Sequence, residues 1–316
     1  MNEGLTAVYQ RPAKHRWWIM SAILMGTWVG AAGNSMMPVA LPAIVSQYNI
    51  GLNFGVWIIS VYTLFVAVFM PIFGWLGDHF GYRQIYLGGL LGMVFFSAAS
   101  AFASTFSWLI LFRTMQGICA ATFLPAVMAI ISQVFPPQER GVALGFWAAI
   151  NGAGHGLGPI ISGTLIQTYS WPAVFFFLSG NACLALMAVF YTAPKTATNQ
   201  AKKFDLLGAA TLTVAILSLM FNLSLEPMII WVQFMVWALF LICIIVFLIT
   251  ERRVATPFVD LALFQNWRYS ILTAVASVQF FCLMGVPILA ALYLIEIREL
   301  NAGFAGLLIA ALAVAS

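Results

Sequence analysis

Apolar and polar positions in this chain fall into long blocks instead of the alternation expected of strands. Runs of about 20 mostly apolar residues recur along the whole sequence, the length of a helix that crosses a hydrocarbon core. They predict helices over Trp18–Ile44, Phe54–Leu76, Ile85–Ala103, Trp108–Phe135, Val142–Thr168, Pro172–Ala193, Leu206–Leu225, Met228–Ile249 and Ile271–Ile295, with a tenth starting near Ala302. The pattern reads as an all-α polytopic membrane protein with about nine complete transmembrane helices and part of a tenth. The basic opening stretch is followed by an apolar run too long for the core of a cleaved signal, so the first span is expected to stay in the mature protein.

Composition removes the soluble alternative. Hydrophobic residues make up 63% of the chain and charged ones 7%, with a mean hydropathy of +1.00. The net charge of +4 suggests an acidic partner only until the positions are read. With a cytoplasmic N-terminus, Arg11, Lys14, Arg16, Arg83, Arg140, Lys195, Lys202, Lys203, Arg252, Arg253 and Arg268 all fall inside, leaving Arg113 within a span and Arg298 in an outer loop. That asymmetry is a topology signal, and nucleic acid is excluded as a partner. Cys119, Cys183, Cys243 and Cys282 are far apart within apolar runs, which points to packing residues and to no metal site.

The few polar islands inside this background carry the candidate chemistry. In "GWLGDHFGYRQ", between the second and third helices, Gly74 and Gly77 permit close helix approach and Gly81 a tight turn. Asp78 and Arg83 can pair across that turn or reach a helix terminus. Arg113 is an intramembrane cation, costly unless it faces a cavity or partners, with snorkelling to the outer interface as the alternative. Gln116 lies one turn on, followed by Gly117. Asn151 and His155 share a polar strip four residues apart; His155 can titrate near neutral pH or simply bond to a neighbouring helix. The glycines at 152, 154, 156 and 158 narrowly miss a dinucleotide fingerprint but follow no strand, so close packing with a bend at Pro159 is expected and no cofactor. Asn34, Tyr62 and Trp28 are candidates to line a path.

Three of these islands occur in the order of known signatures. Gly74, Asp78, Gly81 and Arg83 resemble the turn between helices two and three of the major facilitator superfamily. "LFRTMQGICAA" is similar to its Arg-x-x-Gln-Gly pattern through Arg113, Gln116 and Gly117. "GHGLGPIISG" is similar to its antiporter pattern through Gly154, Gly158, Pro159 and Gly163, with Ser162 in place of one glycine. "VALPAI", "YSWPAVFFF" and "TPFVDLALFQNWRY" resemble the fourteen-helix drug:proton antiporter branch, the EmrB/QacA type.

The resemblance implies a major facilitator fold divided into a cytoplasmic segment 1–18, a six-helix bundle 19–193, a linker 194–205, a two-helix hairpin 206–249, an amphipathic connector 250–270 and the start of a second bundle at 271–316. It implies a secondary active transporter for efflux of amphipathic organic compounds in a bacterial inner membrane, surrounded by lipid, and no enzyme. The turn from Gly74 to Arg83 is then a conformational latch; Asn34, Arg113, Gln116, Gly117, Asn151 and His155 belong to the transport path or to coupling; and the helix-five glycines pack between bundles. Protons are a candidate coupling ion, but relatives usually carry an aspartate where Gly33 stands, and no carboxylate falls deep in any predicted span. A non-transporting membrane receptor or assembly factor on the same fold is the alternative. The resemblance further implies four helices beyond "GLLIAALAVAS", so a fragment or disrupted gene without substrate flux of its own is expected.

Overall fold

A computed structural model describes residues 13–194, 205–224, 230–254, 261–298 and 300–315. A backbone inside lipid has to satisfy its polar groups within each segment, and every regular element among these residues is helical. In chain order they are α1 (Ala13–Ser35), α2 (Met37–Tyr48), α3 (Leu52–Gly55), α4 (Trp57–Phe80), α5 (Tyr82–Ala101), α6 (Phe106–Ala120), α7 (Phe123–Val134), α8 (Pro137–Thr168), α9 (Pro172–Thr192), α10 (Leu206–Ser224), α11 (Ile230–Glu251), a 3₁₀ turn (Leu261–Gln265), α12 (Trp267–Leu292), a π-turn (Tyr293–Ile297) and α13 (Ala302–Ala315).

Proline accounts for three departures from the predicted helices. The first one is broken into α1 and α2, bent by 48°, because Pro38 brings no amide hydrogen for the Asn34 carbonyl. The fourth is interrupted between α6 and α7 where Pro125 faces the carbonyl of Ala121, and the Thr122 hydroxyl donates to the Cys119 carbonyl at 2.7 Å. Helix α8 starts five residues earlier than its apolar run, since Pro137 suits a first helical position.

By length and composition, Leu52–Phe80, Tyr82–Ala101, Phe106–Val134, Pro172–Thr192 and Ile230–Glu251 can each cross a membrane, and the bent pair His15–Ser35 with Met37–Tyr48 makes a sixth. Helix α8 is not among them although it has 32 residues, because its glycines, Asn151 and His155 dilute its apolar character. Residues 225–229, within the expected hairpin, lie outside the described residues, as do Lys195, Lys202 and Lys203.

The chain forms two compact units, one within Met1–Thr198 and Cys282–Ser316 and the other within Asn199–Phe281. In the first, α1 packs on α8 and α9, α5 on α6 and α9, α4 on α6, and α13 on α8. One buried cluster gathers Ile23, Tyr86, Leu90, Phe123 and Ile130, and another Met36, Leu41, Ile58, Leu109 and Phe175. In the second unit α10 packs on α11, and Asp205 caps α10 by accepting the Gly208 amide at 2.8 Å. Trp231, Phe234, Met235 and Phe281 are exposed there, a surface suited to lipid and not to water.

Small residues set how closely the helices of the first unit approach. A Cβ at Gly154 would stand 2.6 Å from the Cβ of Ala31, and one at Gly117 2.5 Å from the Tyr62 carbonyl oxygen, whereas one at Gly180 would meet nothing within 4 Å. Gly117→Ala is therefore expected to lower the stability of the detergent-solubilised chain by about 1–3 kcal/mol through overpacking. Gly180→Ala is expected to leave it unchanged or slightly raised. Thermal unfolding of the two variants side by side checks this, and equal midpoints would contradict the packing described.

Candidate functional site: a buried arginine among four helices

Arg113 sits on α6 with no exposed surface. Its placement follows from the residues around it. Gly117, one turn on, lets α6 press against the backbone of α4 at Tyr62, and the guanidinium one turn back then lies over the Tyr62 ring, with Cζ 4.4 Å from the centroid. Arg113 Nε donates to the Ile58 carbonyl at 3.0 Å. Nη1 donates to Gln116 Oε1 at 2.7 Å and to the Gly33 carbonyl at 3.4 Å. Gln116 is held in turn, its Nε2 donating to the hydroxyls of Ser97 at 3.3 Å and Ser100 at 3.1 Å on α5. Nη2 is buried without a hydrogen-bond acceptor among the described residues.

The charge is thus surrounded by dipoles and a ring face. Among the described residues the only ion pair is Arg16 with Glu139, at 3.1 Å, and it lies elsewhere. Snorkelling does not describe Arg113, because its side chain has no exposed surface and its guanidinium is held by α1 and α4. Asn34 is 9% exposed beside this cage, its Oδ1 accepting from the Thr63 hydroxyl at 3.4 Å. At Gly33 a Cβ would make only ordinary contacts, the nearest being Met93 Cε at 3.4 Å, so packing does not by itself demand glycine there.

The turn between α4 and α5 is organised differently from its sequence reading. Gly81 has φ 96°, the left-handed region that its place in the motif suggested. Arg83 reaches a helix terminus: Nη2 donates to the Phe190 carbonyl in the last turn of α9 at 2.7 Å. The residue that ties the turn together is Tyr82. Its ring lies against Gly77, and its hydroxyl donates to Asp78 Oδ1 at 2.8 Å and lies 3.1 Å from the Gly74 carbonyl.

Gly154 and Gly158 on α8 face α1, meeting Ala31 and Ser35. The Ser35 hydroxyl donates to the Gly154 carbonyl at 2.9 Å, and Ser162 Oγ to the Met36 carbonyl at 2.8 Å, stitching α8 to the bend between α1 and α2. The backbone of Pro159 faces Gly306 of α13. Gly163 is buried on the same helix. The glycine line of α8 therefore packs against α1, with Pro159 meeting α13 on another side. Asn151 and His155 are half-buried, joined by His155 Nδ1 and the Asn151 carbonyl at 3.0 Å, and neither bonds to the Arg113 cage.

With this geometry in place, comparison with known proteins is informative. The family description "Major Facilitator Superfamily" matches residues 23–316. The chain belongs to the Major Facilitator Superfamily. It is 28% identical to the tetracenomycin C resistance and export protein of Streptomyces glaucescens, over 90% of this chain and 54% of that one. It is 30% identical to multidrug resistance protein 3 of Bacillus subtilis, over 87% and 54%. With the multidrug export protein EmrB of Escherichia coli it shares 26%, over 90% and 57%. The chain spans about half the length of these curated relatives.

Among solved structures, a mutant form of the peptide transporter POT covers 98% of this chain and 69% of its own at a TM-score of 0.64 and 16% identity. A bacterial homologue of the human lysosomal transporter Spinster covers 68% and 58% at 0.54 and 15%. These two show a shared fold. The chain is an integral membrane protein of this superfamily.

Sequence reasoning missed Ser97, Ser100 and Tyr82. The two serines stand three residues apart on one face of α5, a spacing that signals a polar stripe within an apolar helix. The cage generates a ranking. Gln116→Leu removes an acceptor from a buried cation and is expected to cost about 1.5–3 kcal/mol. Tyr62→Phe keeps the ring and loses only the hydroxyl bond to the Gly30 carbonyl, at about 0.5–1.5 kcal/mol. Equal losses in unfolding measurements would show that Gln116 does not anchor the guanidinium.

Proposed function

We propose that these helices serve a secondary active transporter that exports small amphipathic organic compounds by alternating access. The observation that carries this reading is the buried Arg113 cage in a superfamily member whose curated relatives are named for drug export. In this reading Arg113, Gln116, Gly117 and Asn34 belong to the substrate path, joined by Asn151 and His155. Gly154, Gly158, Pro159 and Gly163 provide the close packing on which α8 moves. The turn from Gly74 to Arg83 acts as the latch through Asp78, with Tyr82 as its internal clasp. The lysine and arginine distribution supports a cytoplasmic N-terminus, and the bacterial relatives support an inner membrane.

Because Arg113 has no carboxylate beside it among the described residues, neutral and anionic amphipaths are the favoured substrates over permanent cations. Asp78→Asn is expected to impair transport far more than it lowers the amount of folded protein, since the carboxylate accepts from the clasp. The test is flux of a naphthalene sulfonate and of rhodamine 6G into proteoliposomes holding the complete transporter that these helices serve, as wild type, Asp78→Asn or Arg113→Gln. Sulfonate flux above rhodamine flux, lost on Arg113→Gln, is the expected result. Faster rhodamine flux in wild type contradicts the charge preference, and full flux by Asp78→Asn at equal abundance reduces Asp78 to a solvated turn residue.

A further inference from the structure

The first unit is short of acids. Its described carboxylate side chains are Asp78, at the end of α4, and Glu139, in the first turn of α8. His155 is different: it lies in the middle of α8, roughly 24 Å along the helix from Glu139 at 1.5 Å per residue. A carbonyl oxygen can only accept, so the 3.0 Å contact with the Asn151 carbonyl places the hydrogen on Nδ1. The neutral ring therefore presents its lone pair at Nε2, which has no hydrogen-bond partner among the described residues.

The backbone at this point is loosened as well. Pro159 offers no amide hydrogen to the His155 carbonyl, which leaves that oxygen without its helical partner. On either side of this irregular turn α8 makes its tightest contacts, Gly154 and Gly158 with α1 and Pro159 with Gly306 of α13. A charge gained or lost at position 155 thus arises next to two packed helix interfaces with little slack.

Among the described residues, the groups that face α8 from its neighbours do not supply a counter-charge. Among the described side chains, the titratable or charged ones on the packed elements are His15 and Arg16 at the start of α1, Tyr48 at the end of α2, and Cys183 and Tyr191 on α9. Helix α7 has none, and α13 has none among its described side chains. His155 is the one histidine of the chain's three that lies within the middle of a helix; His15 and His79 sit near helix ends, the latter stacked on Trp75.

We infer that His155 is the proton-binding group of this bundle, taking a proton from water at Nε2 to form the imidazolium and returning it from the same atom. This rests on the transport reading for its purpose, because it assigns to His155 the exchange of protons for substrate. It does not depend on that reading for its chemistry. Hydrogen-bonding the other ring nitrogen to a carbonyl fixes the tautomer, so the ring has a single site at which the proton enters and leaves.

Two measurements test it, the first on this chain and the second on the complete transporter. In nanodiscs, ¹⁵N spectra of histidine-labelled wild type and His155→Gln isolate the His155 signals among only three histidines. The expected result is a neutral ring protonated at Nδ1 whose Nε2 gains a proton as pH falls from 9 to 4. A neutral ring protonated at Nε2, or no titration across that range, overturns the inference whatever the protein transports. In proteoliposomes of the complete transporter that these helices serve, a one-unit pH gradient is expected to support about tenfold accumulation of the naphthalene sulfonate in wild type, the equivalent of one proton per cycle. That ratio is expected to fall to about one in His155→Gln. Accumulation that persists in His155→Gln overturns the coupling role, whereas a titrating His155 with no flux in wild type contradicts only the transport reading.

Discussion

A positive charge enclosed by apolar helices has to be solvated by the protein itself, and in this chain that requirement organises the first unit around Arg113. An unpaired cation at such a position is costly enough to select against the fold. Here the cost is offset without a carboxylate. The Tyr62 ring face, the carbonyls of Ile58 and Gly33 and the Gln116 side chain each contribute a partial negative charge at short range. Those four partners come from α1, α4 and α6 itself, and Gln116 is oriented by α5. The cage therefore fixes the mutual position of four helices, and the glycine at 117 is the condition for it, since any side chain there would push α4 away.

The other polar features share this economy. A bundle with few charges uses hydroxyls and backbone carbonyls where a soluble protein would use ion pairs. Ser35 and Ser162 join α8 to the bend between α1 and α2. Tyr82 closes the α4–α5 turn on Asp78, at a position where a basic residue would have added another charge. Tyr86 does the same in the core, donating to the Ile23 carbonyl at 2.7 Å. Hydroxyl bonds of this kind are individually modest and geometrically undemanding.

Much of the fold could be read from the sequence, because the length of apolar runs and the placement of lysine and arginine are dictated by the bilayer. Arg113, Gln116 and Gly117 were legible for a related reason: a charge inside an apolar run has to be accommodated, and its neighbours at helical spacing are the first candidates. The partners supplied by other helices were not legible. Ser97 and Ser100 look like ordinary small residues in a helix, and the Gly33 and Ile58 carbonyls belong to the backbone, which carries no mark in the sequence. The role of Tyr82 was not legible either, and only the contact of its ring with Gly77 reveals why it fits. The bend at Pro38 was readable in principle, yet the continuous apolar run across it hid the break.

Arg113 is a buried cation held by the Tyr62 ring. A double-mutant cycle over Arg113→Met and Tyr62→Leu, read as unfolding free energies in one detergent, measures that interaction directly. A favourable coupling energy of about 0.5–2 kcal/mol is predicted for a desolvated guanidinium over a ring. Strict additivity of the two substitutions would contradict it, and would mean that the charge is stabilised elsewhere.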